Sequence, residues 1–359
     1  MQENLYRRLA QRLDATPNGF PATESGVELR LLAKFFVPEE AALASVMRQT
    51  AESVADISAR AGVDPDAALG ALQGMATKGL ISSRERAGHP VFGLRPFIVG
   101  LYEAQLPRMD EEMAALFERY YQETQGGIVG DLPSLHRVIP VGEVIPFELE
   151  IFPYERATEL LEGAKSWGVR DCICRVQRRL VGKGCDRPVE NCVVFAPAEG
   201  AFDGSDVDRA ITKEEALQIL REAEEAGLVH SAGNYRSGNF YICNCCTCCC
   251  AILRGVAEFG IPTAVACSDF HMVVDAELCI GCGDCLERCQ FGALSIPEDI
   301  SAVDHVRCVG CGLCATVCPS DALHLERRPE GEIPLPPADI REWRTQRVER
   351  RGIVSPGVP

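Results

Sequence analysis

Apolar residues in the first third of the chain recur at helical intervals. Over residues 38–50, Ala42, Val46 and Met47 fall near one face, and Pro38 stands where a first-turn proline is tolerated. Residues 53–59 form a shorter helix ended by Gly62, and Asp64 or its neighbour caps another, 65–77, that ends at Lys78-Gly79. The pattern then shortens. Leu80-Ile81 and Val91-Phe92 flank a polar loop containing Gly88, which predicts a two-stranded hairpin. An amphipathic helix follows over 109–122. Further on, short β-type runs over 138–152 are broken by Pro140 and Pro146, with Pro153 just beyond, and residues 154–167 read as a helix. Thr212-Lys213-Glu214-Glu215 is a capping box for a helix that Gly227 stops.

Helix, short helix, turn, helix and wing over residues 36–95 resemble a winged helix-turn-helix domain. A DNA reader of that kind needs Arg, Lys, Asn or Gln aimed at bases and phosphates. The helix from Pro65 to Met75 offers Gln73 and Asp66 and no basic residue; Arg84 and Arg86 in the wing are its only help. Docking to a protein is the reading preferred for this domain.

Composition is ordinary for a globular chain except in one respect. Of 359 residues, 19 are cysteine. They are bunched, their number is odd, and the first residues show no apolar leader, so metal binding fits better than disulfides. Thiols at this density oxidise readily, which predicts a reducing cytoplasm, that of an anaerobe. No run approaches the roughly 18 apolar residues that cross a bilayer. The formal net charge of −16 opposes general nucleic-acid affinity and suits a redox partner with a basic docking patch.

The cysteines divide the chain into segments. Residues 1–125 hold none, 126–270 hold eleven, 271–328 hold eight, and 329–359 are a proline-rich linker and a basic tail. In that tail Arg341, Arg344, Arg347, Arg350 and Arg351 lie on a short helix, either solvated or docked on the acidic body or a partner.

Cys279, Cys282, Cys285 and Cys289 are spaced Cys-x2-Cys-x2-Cys-x3-Cys, and Cys308, Cys311, Cys314 and Cys318 repeat the spacing, followed by Pro319. The pair of runs is similar to the bacterial two-cluster ferredoxins, in which the fourth cysteine of each run serves the other cluster. That resemblance implies two [4Fe–4S] clusters, one held by Cys279, Cys282, Cys285 and Cys318, the other by Cys308, Cys311, Cys314 and Cys289. Gly281, Gly283, Gly310 and Gly312 allow tight turns that bring N–H groups toward the sulfurs. The runs 293–296 and 322–325 match the family's strands. Gln290 departs from the family, which usually has proline there.

Eleven cysteines remain: Cys172, Cys174, Cys185, Cys192, Cys243, Cys245, Cys246, Cys248, Cys249, Cys250 and Cys267. Three readings stand. The first group forms one site while the dense run serves another; or both groups converge on one larger iron–sulfur centre; or some bind zinc or act as small core residues. Iron is favoured in a chain already devoted to iron–sulfur chemistry, so at least one further iron–sulfur centre is expected. The dense run precedes a helix over 251–257, whose N-terminus favours thiolates. Arg175, Arg178 and Arg179 either balance cluster charge, bind an anionic substrate or face solvent. Asn244 and His230 are candidate polar lining and are not assigned to the site. Tandem cysteines are also found in heterodisulfide-reductase-type domains, but the spacing differs and no residue role is carried over. As a whole the layout resembles ferredoxin-type iron–sulfur proteins of anaerobes.

The expected fold is α+β: a winged-helix-like helical domain, a cysteine-rich α/β middle domain and a C-terminal ferredoxin-like module. The expected function is low-potential electron transfer, as a carrier or as a subunit of an oxidoreductase. The alternatives are a redox-sensing transcription regulator and a factor that delivers clusters to another protein. No Rossmann glycine fingerprint or P-loop is present, so NAD(P), FAD and ATP have no support.

Overall fold

The computed structural model describes residues 2–145 and 151–353; Pro146 in the expected β-type run lies outside them. The chain divides into two compact units. One comprises residues 1–128, 176–183 and 347–359, the other residues 129–175 and 184–346.

In the first unit, helices Gln2–Asp14, Val27–Phe35 and Pro38–Ala44 precede strand Glu52–Ser53, helices Val54–Ala61 and Pro65–Thr77, and the hairpin Ile81–Arg86 with His89–Leu94. The three strands form one antiparallel sheet with His89–Leu94 in the centre. Local signals set these boundaries. The Asp64 carboxylate accepts the N–H groups of Asp66 at 3.0 Å and Ala67 at 3.1 Å. The helix from Pro38 stops at Ala44, short of the expected 50. Ser45 donates its hydroxyl back to the Ala42 carbonyl, and Val46 and Met47 bond three residues back, tightening the last turn. Glu111–Glu123 supplies Phe117 and Tyr120 to an aromatic core, where Phe117 stacks on Tyr102 with centroids 4.0 Å apart. The tail helix Ile340–Arg350 brings Arg347 to the Pro17 carbonyl at 2.7 Å, while Arg351 pairs with Asp14 at 2.9 Å. Arg347 and Arg351 thus dock within the first unit.

The second unit is built on a seven-stranded sheet. Its order is Val265–Ala266, His136–Ile139, Val229–Gly233, Tyr241–Cys245, Glu190–Ala196, Ser166–Asp171 and Arg209–Ile211. All neighbours are antiparallel except the first pair. Helices Ala157–Glu162 and Lys213–Glu225 cover it, burying Leu161, Val193, Phe195, Leu220 and Ile242 together. The capping box forms: the Thr212 hydroxyl accepts the Glu215 N–H at 3.1 Å, and the Glu215 carboxylate accepts the Thr212 N–H at 2.8 Å. Residues 154–167 are not one helix. The helix ends at Gly163, and Trp167 pairs in the sheet opposite Phe195 and Ile211. Cross-strand pairing overrides a run whose apolar residues also fit helical spacing.

Within the same unit, strand Phe270–Val274 pairs with Leu323–Arg327, and Leu294–Ser295 with Ala302–Val303. The first pairing joins the two ends of the eight-cysteine segment, folding its two runs onto one another.

Candidate iron–sulfur and thiolate sites

The eight C-terminal cysteines sit on tight loops. In the first run, the loop reaches Cys279 and Cys282, and the short helix Asp284–Arg288 carries Cys285. Because the segment's ends are paired, Cys318 of the second run comes back to the first loop. One cavity is lined by Cys279, Cys282, Cys285 and Cys318, with Ile296 and Leu323. A second is lined by Cys289, Cys308, Cys311 and Cys314, with Met272 and Val309. Each cavity therefore draws three cysteines from one run and the fourth from the other.

Backbone N–H groups point at these sulfurs. Ser301 donates to Cys279 at 3.4 Å, Ala293 to Cys289 at 3.4 Å and Ala322 to Cys318 at 3.3 Å. Burial pushes the Cys311 thiol up to about 12 and raises Cys314 as well. Burial opposes ionisation at Cys318 too, but N–H groups of Ser320, Ala322 and Leu323 and the Ser320 hydroxyl outweigh it and lower that thiol. Gly281 and Gly310 have φ of +67° and +70°, and a Cβ on either would collide with backbone, at the Asp299 and Phe270 carbonyl oxygens respectively. Four convergent thiols, donors aimed at sulfur and a loop with no room for side chains fit a cubane cluster in each cavity.

Residues 272–325 match the family described as a 4Fe-4S dicluster domain. This part of the chain is a ferredoxin-type 4Fe-4S dicluster domain. No curated protein and no solved structure compared with it matches. Among the described residues no helix is long and apolar enough to cross a membrane.

Outside the dicluster domain, the ten cysteines between Cys172 and Cys250 fall into two sets, and each set mixes the early group with the dense run. Strand Glu190–Ala196 pairs with Tyr241–Cys245 in a register that places Cys192 against Cys243, since Val193 faces Ile242. Thiol contacts then continue from Cys243 to Cys245, Cys250, Cys174 and Cys172. Hydrogen bonds from Cys243 and Cys250 hold Cys245 down at about 6, against the burial that opposes it. Contact with Cys174, together with burial, raises Cys172 far above an ordinary thiol.

The second set is Cys185, Cys246, Cys248 and Cys249, whose four sulfurs all lie within 4.8 Å of one another. Hydrogen bonds from Cys248 and Cys249, and then the charge of Arg175, lower the Cys246 thiol, whereas contact with Cys246 raises Cys248 to about 11. Cys267 stands apart from both sets. Its electrostatic neighbours are Arg328, Cys308 and Arg137, and burial raises it.

Of the three arginines that follow Cys174, Arg175 is fully buried, Arg178 is buried and Arg179 is exposed. Arg178 pairs with Glu118 at 2.6 Å. Arg175 donates to the Pro188 carbonyl at 3.0 Å, the Asn191 side chain at 2.9 Å and the Asn244 carbonyl at 2.6 Å. Burial alone would lower its guanidinium, but Cys172, Cys246 and Cys245 raise it. His230 is a structural residue, held by Asn244 at 2.6 Å and Glu224 at 2.9 Å.

Sequence reasoning undervalued Gln290. It marks that position only as a missing proline. In the fold, the Gln290 side chain accepts the Thr247 N–H and donates to the Gly227 and Cys245 carbonyls. Thr247 stands between Cys246 and Cys248, so one side chain ties the dicluster domain to the dense cysteine run. The only available signal was a polar residue directly after Cys289, where the family's pattern has none.

Proposed function

We propose that this protein relays low-potential electrons through two [4Fe–4S] clusters to a further cysteine-ligated centre or to a redox partner. The observation that carries the reading is the four-and-four division of the dicluster cysteines between two cavities. By it, Cys279, Cys282, Cys285 and Cys318 hold one cluster, and Cys308, Cys311, Cys314 and Cys289 the other. When bound, the clusters supply one-electron chemistry at potentials set by hydrogen bonding and exposure. The residues of the chain hold the irons, direct N–H groups at the sulfurs and exclude water from the deeper site.

The first cavity is the entry port in this reading. Cys282 is exposed and Ile280 is 67% exposed beside it. Glu277, Asp284, Glu287, Glu298 and Asp299 are exposed around them, a rim suited to a partner with a basic docking patch. The second cavity has Cys289, and Gln290 continues from it to Thr247. An additional iron–sulfur centre built on Cys172, Cys174, Cys192, Cys243, Cys245 and Cys250 would receive electrons along that side. Six thiols in an unbroken chain of contacts support it, and the buried Arg175 beside two of them, Cys172 and Cys245, offsets the charge of an anionic centre.

The N-terminal elements fit a winged-helix-like module used for protein docking. The exposed face of Pro65–Thr77 carries Asp66, Gly70, Gln73 and Gly74 and no cation, which weighs against the regulator reading. A cytoplasmic, anaerobic setting agrees with this density of thiols.

The test is elemental analysis of the full chain purified without oxygen. Iron and acid-labile sulfide should both exceed about eight per chain, the number two cubanes require. In a variant lacking the eight dicluster cysteines, iron and sulfide should persist and then vanish when Cys174 or Cys245 is changed to Ser. A wild-type protein holding zinc and no sulfide would overturn the reading.

A further inference from the structure

Cys185, Cys246, Cys248 and Cys249 are too close together to serve a cubane. Three pair separations are 3.9 Å for Cys185–Cys246, 3.7 Å for Cys185–Cys249 and 3.8 Å for Cys248–Cys249. The remaining three pairs are also in thiol contact, Cys246 with Cys248 and Cys249, and Cys248 with Cys185. Six mutual contacts among four atoms describe a tetrahedron. A tetrahedral ion with metal–sulfur bonds of about 2.3 Å has edges of about 3.8 Å. A cubane instead carries its thiolates on four separate irons, which holds the sulfurs much further apart.

We propose that these four cysteines form a closed mononuclear tetrathiolate site for one zinc ion, distinct from every iron–sulfur centre of the chain. Binding exchanges up to four thiol protons for one Zn2+, leaving a complex of charge −2. Two arginines stand where that charge would be. Arg187 reaches Cys248 Sγ at 3.7 Å while its Nε holds the Ala226 carbonyl at 3.1 Å, and Arg175 lies beside Cys246. The other side of the set is apolar, closed by Ala223 and Leu228. All four coordination positions are filled by protein sulfur, so no open position exists for a substrate, and the role is structural.

The structural role is specific. The turn from Cys246 to Cys250 is held by only two backbone bonds of its own, Cys249 N–H to Cys246 O at 3.3 Å and Cys250 N–H to Cys246 O at 3.0 Å. A metal ion joining Cys185 to this turn fixes Thr247 between two of its ligands. Thr247 is the residue that Gln290 grips, so the ion secures the seat of the dicluster domain.

The test uses the full chain purified without oxygen and analysed for zinc, iron and sulfide together. About one zinc per chain is expected. Cys249→Ser should lower zinc at least tenfold while sulfide and the iron–sulfur absorption stay at the wild-type level, which also shows that the variant is folded. Cys185→Ser, altered in a different loop, should do the same. Wild-type protein from cobalt-supplemented cells should show the visible bands of tetrahedral Co2+ thiolate, and Cys185→Ser should not. Absence of zinc and cobalt from the wild type, or loss of sulfide together with the Cys249 thiol, overturns the proposal. The zinc count is read independently of the iron count, so this site and the electron-transfer reading fail separately.

Discussion

The Gln290 side-chain oxygen accepts the Thr247 backbone N–H at 2.8 Å, joining the residue after Cys289 to the residue between Cys246 and Cys248. The same amide donates to the Gly227 and Cys245 carbonyls, so donor and acceptor ends both bridge the dicluster domain to the cysteine-rich sheet. Nearby, Arg288 donates to the Glu225 carbonyl at 2.9 Å and to that of Glu224, capping the end of Lys213–Glu225. Gln290→Ala deletes the central bridge and leaves part-buried backbone groups unpaired. It should cost about 1–3 kcal/mol, read as a lower midpoint in anaerobic denaturant unfolding, with iron content unchanged. An unaltered midpoint would show the bridge to be energetically neutral.

Selective ligand loss should separate the two proposed clusters. Cys311 lines the cavity with the buried Cys308 and Cys314, and Cys282 is the exposed cysteine of the other. Cys311→Ala and Cys282→Ala should each remove about half of the roughly eight dicluster irons, leaving different residual EPR signals in the reduced state. Equal damage to both clusters from either change would contradict the crossed assignment.

Arg175 donates to three acceptors, Pro188 O, Asn191 Oδ1 and Asn244 O. Arg175→Met should destabilise the protein by about 3 kcal/mol or more through stranded buried acceptors. Arg175→Lys should not restore it, because a single ammonium lacks the planar fork. The readout beyond stability is metal: iron beyond the dicluster complement should fall in both variants. Full recovery by Lys would mean that charge alone matters.

His136 gives a pH signature. Burial lowers it to about 4, and its ring nitrogens meet Ser231 at 3.2 Å and Tyr241 at 3.0 Å. The folded protein keeps this imidazole neutral, whereas the unfolded chain takes up a proton below about 6.5. The unfolded state therefore binds more protons between those values, and stability falls as pH drops from about 6.5 toward 4, by about 3 kcal/mol for this group at the limit. His136→Gln should flatten that part of the stability–pH curve, checked by anaerobic urea unfolding at several pH values. A slope equal to that of the wild type would remove His136 from the account.

Much of this was legible because it is local. The spacing of the two runs from Cys279 to Cys318 carries the dicluster domain, and the cap at Asp64 and the capping box at Thr212 mark helix starts because capping is decided within four residues. The cysteine sets were not legible. Cys192 meets Cys243 because strand Glu190–Ala196 pairs with Tyr241–Cys245, a register no local pattern states, while Cys185, outside that strand, meets Cys246 and Cys249. Trp167 was misread as helical because strand pairing with Phe195 and Ile211 lies far off in sequence. The sequence left Arg175 open between balancing cluster charge, binding an anion and facing solvent, because the acceptors that bury it lie at 188–191 and 244. Gln290 was visible as an oddity, but its partners lie at 227, 245 and 247.

On the proposed reading, the eight dicluster cysteines carry two low-potential [4Fe–4S] clusters. The most direct test is an EPR-monitored redox titration of the full chain under argon, with iron and sulfide measured on the same sample. The account predicts reduction at potentials near those of low-potential ferredoxins, about −400 mV, with signals broadened by two neighbouring paramagnets. The Cys311→Ala variant should lose the coupling between the two dicluster signals and keep the one from the cavity that holds Cys282. A reduced protein without cluster signals, holding metal but no sulfide at these cysteines, would contradict it.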